Sequence, residues 1–174
     1  HQGRIVSTQT HGVRMKGSDA RVNKHTVFRL ASVSKGFSGA LACLLDHEGI
    51  LSLDDRLTRY LPGFRLKDSV STADLTLRHV MSHTSGLIPH AYDNLVEADM
   101  ELDAILARLA EVDISAPPGK LYGYQNVIFS MFAPVAEQVT GSSYARLLEE
   151  KIFHPLGMRD ASAGKIDLGH PYNV

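Results

Sequence analysis

The stretch FRLASVSKGFSGALACLL, residues 28–45, limits the possible folds of this chain more than any other. Phe37, Ala40, Leu41, Leu44 and Leu45 recur at spacings of three and four, the period that gathers side chains on one face of an α-helix. Gly49 follows where such a helix would stop. The expected element is a helix over about residues 32–48, with Ser32 three residues before Lys35 at its mouth.

Residues i and i+3 share a helix face, about 4.5 Å apart along the axis. An ammonium group held there can lose its proton when desolvated or crowded by other cations, and can then take the proton of a neighbouring hydroxyl. A serine at a helix N-terminus also meets the positive end of the dipole and free backbone N–H groups that can stabilise an oxyanion. Ser32 is therefore a candidate nucleophile and Lys35 a candidate proton acceptor. The same pair also reads as an N-capping serine and a solvated lysine, and spacing alone leaves both readings open. Ser34 is the second choice as nucleophile, because no lysine stands three residues after it. A further Ser-x-x-Lys, Ser162 to Lys165, contains Gly164 and leads into no apolar helix.

The remainder of the chain is predicted to be mostly helix and loop. A strand and turn are expected within residues 1–30, from the β-branched and polar mixture ending near Gly17. Residues 76–83 read as a short helix, and Leu102, Ile105, Leu106, Leu109 and Val112 mark an amphipathic one. SAPPGKLYGY, residues 115–124, is a Pro/Gly loop. Residues 127–140 read as a buried helix that Pro134 should kink or break, and residues 143–153 as another helix.

At 174 residues and 44% hydrophobic content, the chain fits one domain with a core. A formal net charge of −1 and a pI near 6.8 give no reason to expect nucleic acid or an anionic membrane as partner. No apolar run approaches the length of a membrane-spanning helix. Cys43 is the sole cysteine, which excludes an internal disulfide, and its place among Leu41, Leu44 and Leu45 suggests a buried thiol. His79 and His83, four apart, could share a helix face as metal ligands, but Val80 stands where a zinc-protease helix carries glutamate, so no metal is expected.

Four words, in order, carry a resemblance: FRLASVSKGFSGALACLLDHEGILSLDD, LTLRHVMSHTSGL, PPGKLYGYQN and FHPLGM. Over about residues 22–160 the chain resembles the penicillin-recognising serine hydrolases, namely class C β-lactamases, D,D-peptidases and related esterases. The resemblance implies an α/β (α+β) fold of the β-lactamase/transpeptidase type. This chain would cover mainly the nucleophile helix and the helical subdomain, about residues 50–160, with little of the antiparallel sheet. It also implies that Ser32 is the nucleophile, with Lys35 and Tyr124 moving its proton. Tyr124-Gln125-Asn126 matches the family's Tyr-x-Asn, so Asn126 would hold the substrate carbonyl. A second match, Tyr92-Asp93-Asn94, leads into no immediate helix and is disfavoured. His83, in HTSG, is expected to be structural.

The family's third motif, Lys-Thr-Gly or His-x-Gly on a strand, is not found, and AGK at 163–165 runs in the reverse order. The chain, which begins with His, is accordingly expected to be the middle of a longer protein. A second chain completing the sheet, or a degenerate family member, would also fit. The helix bearing Ser32 normally packs on that sheet, so this chain alone is expected to be poorly stable. The function expected is acyl transfer through an acyl-serine, on a β-lactam, a D-Ala-D-Ala-type peptide or an ester, without cofactor. A non-hydrolytic penicillin sensor or binding module is the alternative. Most relatives of this kind act in the periplasm or outside the cell, although cytoplasmic esterases exist.

Overall fold

Helical structure begins at the Ser32 segment. The structure, a computed structural model, describes residues 1–164, so Lys165 and the tail after it lie outside the described residues. A 3-10 turn, Ala31–Ser34, runs straight into α1, Lys35–His47. Because a 3-10 turn has three residues per turn, Ser32 and Lys35 are stacked one above the other. The end of α1 is closed at Gly49, whose φ of +69° lets Ile50 N–H reach Leu45 O at 3.0 Å.

Seven short helices and one longer one follow: α2 (Leu57–Tyr60), α3 (Ser69–Asp74), α4 (Leu77–Met81), α5 (Asp93–Glu97), α6 (Leu102–Ala107), α7 (Asn126–Phe129), α8 (Phe132–Thr140) and α9 (Tyr144–Leu148). Several starts are capped by side chains. Asp68 accepts from Ser71 N–H at 2.7 Å, and Ser143 accepts from Arg146 N–H at 3.3 Å. Thr76 and His79 form a reciprocal capping box at the start of α4, with the imidazole in the place usually taken by Glu or Gln.

The core gathers around α8, which packs against α1, α4 and α9. Leu41, Leu45, Leu77, Val80, Ile128 and Phe132 are fully buried there. Burial of a side chain of this size contributes about 1.5–3 kcal/mol, so these contacts, rather than helix propensity, hold such short helices. The buried face of α1 is Ser38, Leu41, Ala42 and Leu45, at spacings of three and four. Cys43 falls on the opposite face and is exposed, which corrects the expected buried thiol.

Three further differences from the sequence reading have physical causes. The strand expected within residues 1–30 does not form. The isolated antiparallel bridge Val13–Arg21 is what this segment shows, and Ile5 and Val6 are exposed, with no described strand beside them to pair with. The break expected from Pro134 falls at Ser130–Met131, between α7 and α8. The ring of a proline clashes with the carbonyl four residues back, here Ser130, and the first turn of a new helix tolerates its missing N–H. The 102–112 helix closes early, with α6 passing into a 3-10 turn, Arg108–Glu111; likewise α9 passes into a π-helical stretch, Glu149–Phe153.

The loop carrying Tyr124 is laced to the HTSGL segment by backbone pairing. Gly119 N–H donates to Thr84 O, Gly123 N–H to His83 O and Ser115 N–H to Gly86 O, each at 2.8 Å. Two glycines make this close approach possible. Gly86 has φ +88°, and a Cβ there would lie 2.1 Å from Ala116 O; Gly119 has φ +82°, and its Cβ would lie 2.9 Å from His79 Nε2.

Candidate active site

The four residues singled out from the sequence meet in one place. Ser32 Oγ accepts from Lys35 Nζ at 3.3 Å and from the Tyr124 hydroxyl at 2.6 Å. Lys35 Nζ also donates to Asn126 Oδ1 at 2.7 Å. Ser32 and Tyr124 are 92 positions apart in sequence, so this contact is made by the fold rather than by local helix geometry. Ser34 is turned away, its hydroxyl donating to Ala31 O at 2.6 Å.

Each side chain is aimed by a distinct device. Ser32 follows Ala31, a non-glycine residue at φ +46°. Such a conformation costs on the order of 1–2 kcal/mol and throws the serine outward at the head of the turn. Lys35 is half-buried, and its ammonium lies 5.1 Å from the Tyr124 ring centroid and 5.4 Å from that of Phe129. Two aromatic faces and an amide oxygen thus hold a cation in place. Gln125, between Tyr124 and Asn126, is fully buried, and its amide donates to Ile88 O. This anchor sends its two neighbours toward Ser32, since alternate side chains of extended chain point to the same side.

The electrostatics ease ionisation of the Tyr124 hydroxyl. Hydrogen bonding with Lys35, and then with Ser32, holds the phenol below its ordinary value, against the opposing effect of burial. His83 supports the ring from behind, 4.5 Å from Tyr124 and 5.1 Å from Phe129, centroid to centroid. Burial, with the Lys35 charge added, holds His83 below the usual histidine value. In its neutral form His83 Nδ1 accepts from Gln125 N–H at 3.2 Å. His79 is engaged elsewhere, in the α4 capping box, so the two imidazoles do not converge. Among the described residues there is no cluster of three or more His, Cys, Asp or Glu able to hold a metal ion, and no helix long and apolar enough to cross a membrane.

Two contributors escaped the sequence reading. Asp93 Oδ2 accepts from Asn126 Nδ2 and pairs with His90 Nδ1, both at 2.8 Å. The imidazole of His90 lies 5.3 Å from the Tyr124 ring, and its backbone N–H donates to Tyr124 O at 2.8 Å. Asp93 belongs to the disfavoured Tyr-x-Asn, the one sequence signal that pointed near it. An open cleft of about 820 Å³, lined by residues 26–31 and 157–164 with Ser34 and Phe37 among others, adjoins the Ser32 turn but is not lined by Ser32, Lys35, Tyr124 or Asn126.

Comparison with known proteins finds relatives over most of the chain. The chain is 32% identical over 172 residues to the esterase EstB of Burkholderia gladioli, a match covering 91% of this chain and 44% of that protein. It is 29% identical over 150 residues to penicillin-binding protein 4 of Amycolatopsis lactamdurans, covering 86% of this chain and 39% of that one. The chain therefore spans less than half the length of these curated relatives. Among solved structures, a penicillin-binding protein from Bacillus halodurans superposes with a TM-score of 0.75 at 26% identity, over 93% of this chain and 50% of that chain. The fold is accordingly of the β-lactamase/transpeptidase type, seen here mostly as helix with little strand. The family description Beta-lactamase matches residues 1–172, and with the motifs and the fold in agreement, the chain belongs to the Beta-lactamase family.

Proposed function

We propose that this chain carries the acylation machinery of a serine acyl-transfer hydrolase. The observation that carries this reading is the three-centre contact of Ser32 Oγ with the Tyr124 hydroxyl at 2.6 Å and Lys35 Nζ at 3.3 Å. When Tyr124 is a phenolate, the contact to Ser32 runs the other way, with the Ser32 hydroxyl donating. The Ser32 proton passes to Tyr124 as Ser32 Oγ bonds to the substrate carbonyl carbon. The tetrahedral oxyanion collapses, the C–N or C–O bond to the leaving group breaks, and that group takes the proton from Tyr124. Water or an amine then attacks the acyl carbon, giving its proton to Tyr124; the C–O bond to Ser32 breaks, and Tyr124 returns that proton to Ser32 Oγ. The Lys35 ammonium supplies the charge that favours the phenolate, and Asn126 faces the same space as a group able to hold the substrate's carbonyl. One oxyanion donor in this scheme is the backbone N–H of Ser32.

The substrates proposed are acyl compounds with a carbonyl open to attack: an ester, a β-lactam or a D-Ala-D-Ala-type peptide. Relatives named as an esterase and penicillin-binding proteins support that class. A periplasmic or secreted setting belongs to the same proposal. The test is the intact mass of the purified protein after exposure to benzylpenicillin and to an activated ester, alongside Ser32→Ala. An adduct of one acyl group that the variant lacks supports the reading. An adduct retained in Ser32→Ala, or none with either reagent, overturns it. A penicillin adduct that forms and never turns over shifts the function from hydrolase to penicillin sensor.

A further inference from the structure

We propose that Asp93 is a positioning residue, acting on Lys35 through the side-chain amide of Asn126. The inference rests on the acyl-transfer reading for its catalytic meaning, while the contact itself is independent of that reading. A primary amide has two faces of opposite character, an acceptor oxygen and a donor nitrogen, and nothing intrinsic distinguishes their placement. At Asn126 both ends are specified by partners that cannot exchange roles. The Lys35 ammonium only donates, so it selects Oδ1 at 2.7 Å, and the Asp93 carboxylate only accepts, so it selects Nδ2 at 2.8 Å.

The second partner matters because the Lys35 ammonium is shared between Asn126 Oδ1 and Ser32 Oγ. As the ammonium swings toward Ser32, its hold on the amide weakens and the amide is freer to turn over. Asp93 removes the alternative, because turning the amide would set Asn126 Oδ1 against a carboxylate. Asp93 is itself fixed. Its Oδ2 is shared with His90 Nδ1 at 2.8 Å, its side chain is 21% exposed, and it follows two non-glycine residues, His90 and Tyr92, at φ +59° and +63°. The His90 backbone N–H is bonded to Tyr124 O, so carboxylate, amide and phenol share one frame. Asp93 Oδ1 is buried without a hydrogen-bond partner among the described residues, so the contacts of this carboxylate converge on Oδ2.

The experiment compares wild type, Asp93→Ala, Asp93→Asn, Asn126→Ala and the double variant Asp93→Ala/Asn126→Ala in the purified protein. The readout independent of activity is the pair of side-chain amide NMR signals of Asn126, identified by their loss in Asn126→Ala. We expect Asp93→Ala to shift and broaden that pair, and Asp93→Asn, which keeps an acceptor oxygen in place, to retain it. With an activated ester, Asp93→Ala should slow Ser32 acylation by about a hundredfold, the scale of a misplaced reacting group. Asp93→Asn should stay within about tenfold of wild type, and the double variant should be no slower than Asn126→Ala. Unchanged amide signals in Asp93→Ala, or an Asp93→Ala loss that persists in full without Asn126, overturns the proposal. Should Asp93→Ala fail to fold, Asp93→Asn decides: amide signals lost, with acylation as slow as in Asn126→Ala, contradict it. If no variant, wild type included, is acylated, the acyl-transfer reading falls, while the amide signals still decide the positioning contact.

Discussion

The two sides of the site are built differently. Ser32 stands on an exposed 3-10 turn after a strained Ala31, preceded by a segment without regular structure. Tyr124 and Asn126 stand on a wall whose anchor, Gln125, is fully buried and whose backbone is laced to HTSGL by several bonds. Ser32 is thus presented outward with little of the core depending on it, whereas Tyr124 and Asn126 are extensions of the core. Changes at Ser32 should therefore separate chemistry from stability, and changes behind Tyr124 should not.

The sharpest separation is Ser32→Ala. Acylation should fall below detection while stability to urea stays within about 0.5 kcal/mol of wild type, as for an exposed site away from packing contacts. A large loss of stability would show that the serine is part of the frame. Lys35→Met comes next. Acylation at neutral pH should drop by about 10²–10³-fold, the scale of removing one electrostatically stabilising group. The rise of rate with pH should also move upward, because the hydrogen bond with Lys35 is the first cause of the lowered Tyr124 value. A rate profile that keeps its position would detach the lysine from the phenol.

On the core side, Phe132→Ala removes a ring with 1% exposure and should cost about 3–5 kcal/mol in denaturant unfolding. The smallest effect concerns His83. Its folded value lies below the unfolded one, near 6.5, so the folded state binds fewer protons in the window beneath that pH. Its stabilising contribution is complete above about pH 6.5 and is lost as pH falls through the depressed value. The melting temperature should fall on acidification from pH 7 to 5, and less so in His83→Asn. His79, lowered by burial, acts in the same direction, so part of the slope should remain.

The sequence exposed these two sides unequally. Ser32 and Lys35 are three apart, so local geometry sufficed to pair them, and the apolar period of residues 37–45 located α1. Tyr124 and Asn126 were reached through motif resemblance, since no local rule joins positions 91 or more apart. Asp93 and His90 were not legible, because left-handed turns at His90 and Tyr92 bring them to the site and no residue pattern announces those. Cys43 illustrates a different limit. Its neighbours in sequence are apolar, but a rotation of about 100° per residue places it away from the face that Leu41 and Leu45 bury. The expected strand in residues 1–30 had the composition of one but no described partner to bond with.

In the proposed acyl transfer, Tyr124, held in place by the buried wall, exchanges a proton with Ser32. The most direct test is the pH dependence of acylation by an activated ester, in wild type and in Tyr124→Phe. The wild-type rate should climb through one ionisation lying below the ordinary tyrosine value of about 10, and Tyr124→Phe should lose both that ionisation and most of the rate. A Tyr124→Phe protein that is acylated with the wild-type rate and pH profile would contradict it.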